Sequence, residues 1–163
     1  MDKLLSDVLR ILREEIGLYR DLIEHARHKT ALLVQGSVDD ILESNKAEET
    51  CSLKLRILEN EMSRLCRELC QMAKIPYEEF TLLRLSDRVS QTVAAEIKVQ
   101  TTLFRNLVGE LKSVSRRNTR LVESSLRYSR GLLGLLYGST GAYQPDGLFR
   151  PMAGAQTVLS RRA

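Results

Sequence analysis

Tryptophan is absent from this sequence, and three other residue types are scarce: 3 Pro, 9 Gly and 2 His. No Gly falls between Gly36 and Gly109, and no Pro precedes Pro76. Long stretches therefore carry no helix breaker. The two histidines, His25 and His28, follow Asp21 and Glu24 by four residues each, a spacing that sets side chains along one side of a helix. No Glu-x-x-His and no third histidine completes a ligand set, so no metal is expected. Three cysteines, Cys51, Cys66 and Cys70, are an odd number that reads as reduced thiols rather than a disulfide framework. Cys66 and Cys70 would supply two of the four ligands that zinc takes in a structural site. The sequence has no Gly-x-Ser-x-Gly, no phosphate-cradling loop and no dinucleotide fingerprint. It offers no Ser or Cys beside a His and an orienting acid either. These absences argue against an enzyme and against any cofactor.

A long apolar run is also missing. The longest uncharged stretch, Gly131 to Pro145, holds four glycines in fifteen residues, too few residues to cross a bilayer. Acids at Asp2 and Asp7 occupy the place where an export signal needs an apolar core. A soluble, cytoplasmic protein without stable membrane insertion is the expectation. What is present suits one folded domain: 163 residues, 43% hydrophobic and 28% charged. The net charge of +4 is unevenly spread. From Lys112 onward nine basic residues face only Glu123 and Asp146, a balance of +7, which leaves −3 for the first 111 residues. The C-terminal third is thus the candidate contact surface.

Apolar residues at Leu5, Val8, Leu12, Ile16, Tyr19, Ile23, Ala26 and Leu33 recur mostly at steps of three and four, and predict one helix from about Asp2 to Gln35. Gly36 stops it, and Ser37 before Val38-Asp39-Asp40 restarts the chain as a helix N-cap. The second helix is expected to run to Ala73, ending ahead of Ile75-Pro76. Its stripe is Ile41, Asn45, Glu48, Cys51, Leu55, Leu58, Met62, Leu65, Leu69 and Met72. Asn45 and Glu48 on that seam either set the register of the bundle or let the helix splay outward. Pro76 with Glu78 and Glu79 marks a short helix or turn.

A third long helix is expected from about Leu85 to Tyr137. Three rows run along it at intervals of seven: Phe104, Leu111, Asn118, Ser125, Leu132; Leu107, Val114, Leu121, Tyr128, Leu135; and Val108, Ser115, Val122, Ser129, Leu136. That face is wider than a two-stranded seam. Its candidate docking residues are Leu107, Leu111, Val114, Leu121, Val122, Tyr128, Leu132 and Leu135. Helices of about 35 residues reach about 50 Å, whereas this one would reach about 80 Å, so part of its face has nothing to cover it. Arg116, Arg117, Arg120, Arg127 and Arg130 make an electrostatic footprint, but apart from Tyr128 no aromatic residue interleaves them, where a nucleic-acid surface would need several. Residues 138–163, with Gly138, Gly141, Gly147, Gly154, Pro145 and Pro151, read as a flexible tail. The expected fold is all-α: an elongated antiparallel bundle of three long helices and one short one over residues 1–137, followed by that tail.

Several segments together resemble the FlgN-type family of flagellar type III export chaperones. They are Glu15 and Tyr19 through Leu33, Asn45-Lys46-Ala47-Glu48-Glu49, Asn118 through Tyr128, and Tyr143-Gln144-Pro145-Asp146-Gly147 in the manner of a closing Tyr-x-x-x-Gly element. The resemblance implies a cytoplasmic protein that binds the hook-filament junction (hook-associated) proteins through their C-terminal amphipathic helices. It would prevent their premature self-association and deliver them to the cytoplasmic domain of the export gate. The docking residues of the third helix would then be the cargo face, and Tyr143 and Gly147 the gate contact. The competing classes are a coiled-coil adaptor, which would show unbroken heptads, and a nucleic-acid binder, which would lose affinity steeply with salt.

Overall fold

The computed structural model describes residues 2–137, 141–143 and 149–151. The fold is all-α, with α1 spanning Asp2–Gln35, α2 Val38–Ala73, α3 Leu82–Ser86 and α4 Gln91–Tyr137. A 3-10 turn at Tyr77–Glu79 precedes α3. Where the sequence leads to no regular element, two three-residue strands, β1 (Gly141–Tyr143) and β2 (Phe149–Pro151), pair antiparallel with Tyr143 opposite Phe149. The rest of the expected flexible tail lies outside the described residues. The chain divides into two units, Met1–Asn118 and Thr119–Ala163, with the boundary inside α4.

The ends of α1 and α2 follow from local chemistry. Gly36 takes the left-handed conformation at φ +78°, and its amide still reaches the Leu32 carbonyl at 2.9 Å. Ser37 occupies the N-cap position, but its hydroxyl is spent on the Asp40 carboxylate and makes no cap bond to a backbone amide. At the far end of α2 the left-handed residue is Lys74, φ 53°, whose N–H faces the Cys70 and Gln71 carbonyls just ahead of Pro76. The third long helix starts later than the sequence suggests. Leu85 belongs instead to α3, which Thr81 caps by accepting the Arg84 amide at 3.1 Å. The Arg88 guanidinium then donates to the Ala73 carbonyl at 2.7 Å, tying the turn between α3 and α4 back to the end of α2.

Within the first unit α1 is the central element. Leu5, Val8, Leu9 and Ile11 pack with Leu65 and Leu69 of α2, Leu85 of α3 and Ile97 of α4. Farther along, Leu12, Ile16 and Ile23 pack with Leu107 of α4, where Tyr19 and Phe104 meet edge to face at 5.0 Å. Leu22 closes on Cys51 and Leu55 of α2. Ion pairs repeat the arrangement at the surface: Arg10 with Glu61 and Lys29 with Glu48 join α1 to α2, while Arg13 with Glu96 and Arg27 with Glu110 join α1 to α4. The last two pairs share a separation of 83 residues, so α1 and α4 run in the same direction.

Candidate functional site

Helix α4 carries every docking residue singled out in the sequence, and the structure sorts them by position. Leu107 is 9% exposed and belongs to the core beside Leu12, Ile16 and Ile23. Leu111 is half-buried against two parts of the same core. Val114 is half-buried along a surface cleft that Thr30, Ala31 and Val34 of α1 also line. Past Asn118 the side chains emerge. Leu121 is half-buried, Val122 and Leu132 are exposed, and Tyr128 is 69% exposed. Leu135 lies on the helix, but its side chain is outside the described residues. Tyr143 sits in β1, with its side chain likewise outside them, and Gly147 is not among them.

Two exposed leucines of this face escaped the sequence reading, Leu126 and Leu133, each about half exposed. The signal that finds them is a fourth row at intervals of seven: Arg105, Lys112, Thr119, Leu126, Leu133. It is polar alongside the first unit and apolar afterwards. At about 100° per residue, Leu121, Tyr128 and Leu132 form one ridge and Val122, Leu126 and Leu133 a second, with Ser125 and Ser129 in the trough between them.

Asn118 marks the transition. It is buried, its Nδ2 donates to the Ala26 carbonyl at 2.8 Å, and its Oδ1 accepts from the Thr30 hydroxyl at 2.6 Å. The residue that interrupts an apolar row in the sequence thus holds α4 to α1 at Ala26 and Thr30, within the last three turns of α1. On the α2 side, Lys29 reaches Glu48 with both side chains largely shielded. Glu48 is therefore a seam residue, whereas Asn45 is exposed and Ser44 is buried in its place.

Two titratable groups of the first unit are shifted strongly, in both cases chiefly by burial. Glu15 is 5% exposed, and its burial, with the Glu59 charge adding, pushes its carboxyl up to about 7. Burial likewise raises the Cys66 thiol to about 11, which leaves it protonated and a poor nucleophile. All three cysteines are free. His25 is half-buried and His28 exposed. Among the described residues no three His, Cys, Asp or Glu side chains group as a metal site, and no helix is long and apolar enough to cross a membrane.

The arrangement is that of a helical protein with exposed apolar side chains along the later part of α4. The family model described as FlgN protein matches residues 1–150, nearly the whole chain. The chain belongs to the FlgN family, a family of flagellar export chaperones and not of enzymes. No curated protein and no solved structure matches it.

Proposed function

We propose that this chain is a cytoplasmic chaperone for the hook-filament junction (hook-associated) proteins. It holds their C-terminal amphipathic helices on the apolar face of α4 beyond Asn118 and passes them to the cytoplasmic domain of the export gate. The observation that carries the reading is the exposure of Val122, Leu126, Tyr128, Leu132 and Leu133 on a helix whose earlier residues, Ile97 and Leu107, are core. A partner helix with its own apolar stripe covers such a face as a groove-bound helix does. Helices of this kind self-associate when left uncovered, which is the outcome a chaperone would forestall. Tyr143 and Gly147 serve the second contact, toward the gate.

The test is binding of the C-terminal segment of a junction protein, measured by calorimetry. The double variant Val122→Asn, Leu132→Asn is expected to lose that binding. It should keep its melting temperature, because substitutions of exposed side chains shift stability by only about 0.5 kcal/mol. A Tyr143→Ala chain is expected to bind cargo normally and to lose the gate domain. Undiminished cargo binding by the double variant refutes the proposed face, and unchanged gate binding by the Tyr143 variant refutes the division of roles.

A further inference from the structure

Arginines crowd the later part of α4. In the first unit Arg10, Arg13, Arg27, Arg64 and Arg84 each pair with a glutamate, whereas Arg20 and Arg56 stand exposed and apart from one another with no ion pair among the described residues. Arg116, Arg117, Arg120, Arg127 and Arg130 are all exposed and form no ion pair among the described residues. Between residues 116 and 130 the one acid is Glu123. Glu123 lies three residues after Arg120 and four before Arg127, so the segment keeps a net charge of +4 on about four turns of helix, and its arginines repel one another unless something anionic is present.

Their direction decides what that something is. Arg116, Arg120 and Arg127 lie within about 40° of one another around the helix axis, on the side opposite the two apolar ridges. A helix docked on the ridges leaves these three guanidinium groups in water, and their charge contributes little to it. A second copy of the chain brings the same five arginines and adds repulsion. A lipid surface differs from both, because a helix lying in the interface sinks its apolar half among the acyl chains while its other half stays at headgroup level. There arginine side chains meet phosphates, and a border tyrosine such as Tyr128 sits where aromatic rings settle.

We propose that residues 116–133 of α4 form a reversible docking site for anionic phospholipid membranes. The inference does not depend on the cargo reading, although both use the ridges of α4, so lipid and a cargo helix compete. Binding is peripheral, in keeping with a helix whose apolar half is flanked by charge and spans no bilayer.

The experiment is flotation of the purified full-length chain with vesicles of phosphatidylcholine alone or with about 30% phosphatidylglycerol, at low and high salt. Wild type is expected to float with the anionic vesicles at low salt and to stay behind with the neutral ones. The double reversal Arg120→Glu, Arg127→Glu lies on the exposed polar side and leaves the helical spectrum unchanged. It should weaken vesicle binding at least about tenfold, since each basic residue near such a surface contributes about 1 kcal/mol. Equal flotation with both vesicle types, flotation with neither, or binding unaffected by the reversal each overturns the proposal. If the reversal abolishes cargo binding and spares flotation, the arginines recognise an acidic protein instead. Loss of flotation with retained cargo binding supports the lipid site and leaves the cargo reading intact.

Discussion

Replacing Glu15 with Gln should stabilise this protein, and by an amount that depends on pH. The carboxyl lies in the first unit at 5% exposure, with its pKa pushed up to about 7 from a model-peptide value of 4.5, by burial first and the charge of Glu59 second. Burial is the main cause of the raised pKa of Cys66 on α2 and of Tyr19 on its own helix, and the charge of Glu15 adds a smaller push to each. Below about pH 4.5 both the folded and unfolded chains hold the proton, and Glu15 contributes no pH-dependent penalty. Between pH 4.5 and 7 the unfolded chain releases it while the fold retains it. The native state then binds more protons, and stability falls as pH rises. Above pH 7 the loss levels off at a ceiling of about 3 kcal/mol, from 1.36 kcal/mol for each pH unit separating the two pKa values. Gln keeps the shape and cannot ionise. Urea denaturation at pH 5 and pH 8 should show the Glu15→Gln gain over wild type growing by about 1–3 kcal/mol between the two, independently of other carboxylates that titrate in both proteins. A gain that is the same at both pH values, or a loss at pH 8, would refute the argument, since it would mean the ionised carboxylate is held by a favourable partner.

Two further expectations rest on the polar contacts of α1. Asn118→Ala removes the bonds to the Ala26 carbonyl and the Thr30 hydroxyl and should cost about 1–3 kcal/mol in urea denaturation; a cost near zero would mean those bonds merely offset the burial of the amide. Lys29→Met strips the shielded Glu48 carboxylate of its partner and should destabilise by about 1–3 kcal/mol, while the double variant Lys29→Met, Glu48→Met recovers most of that, as replacement of a shielded ion pair by apolar side chains usually does.

The helix boundaries were legible because single residues set them. Gly36 alone supplies the left-handed stop after Gln35, and Pro76 forbids continuation past Lys74. The beginning of α4 was not, because Leu85 continues the apolar spacing while Thr81 and Arg88 impose a separate turn that spacing does not register. The core of α1 was half legible. The stripe through Leu5, Val8, Leu12 and Ile16 is buried, but so are Leu9, Ile11, Leu22 and Leu32. A helix with neighbours on two sides buries two faces, and a search for one stripe finds one. Glu15 drew notice only through the family resemblance, since a charged residue amid apolar ones reads as solvent-facing until a neighbouring helix is placed over it.

The exposed leucines Leu126 and Leu133 bear directly on the proposed docking face of α4. At about 100° per residue, Leu126 stands five turns beyond the half-buried Val108 and Leu133 ten turns beyond the core residue Ile97, so both lie along the direction that α4 turns to the core in the first unit. Past Asn118 side chains in that direction are exposed, as Leu126 and Leu133 show. An exposed apolar stripe costs solubility and adds nothing to the fold, which supports the proposed docking of a partner on it. The first unit uses α4 for its own packing through Ile97, Leu107 and Asn118, and the proposed partner would take up the exposed residues that follow.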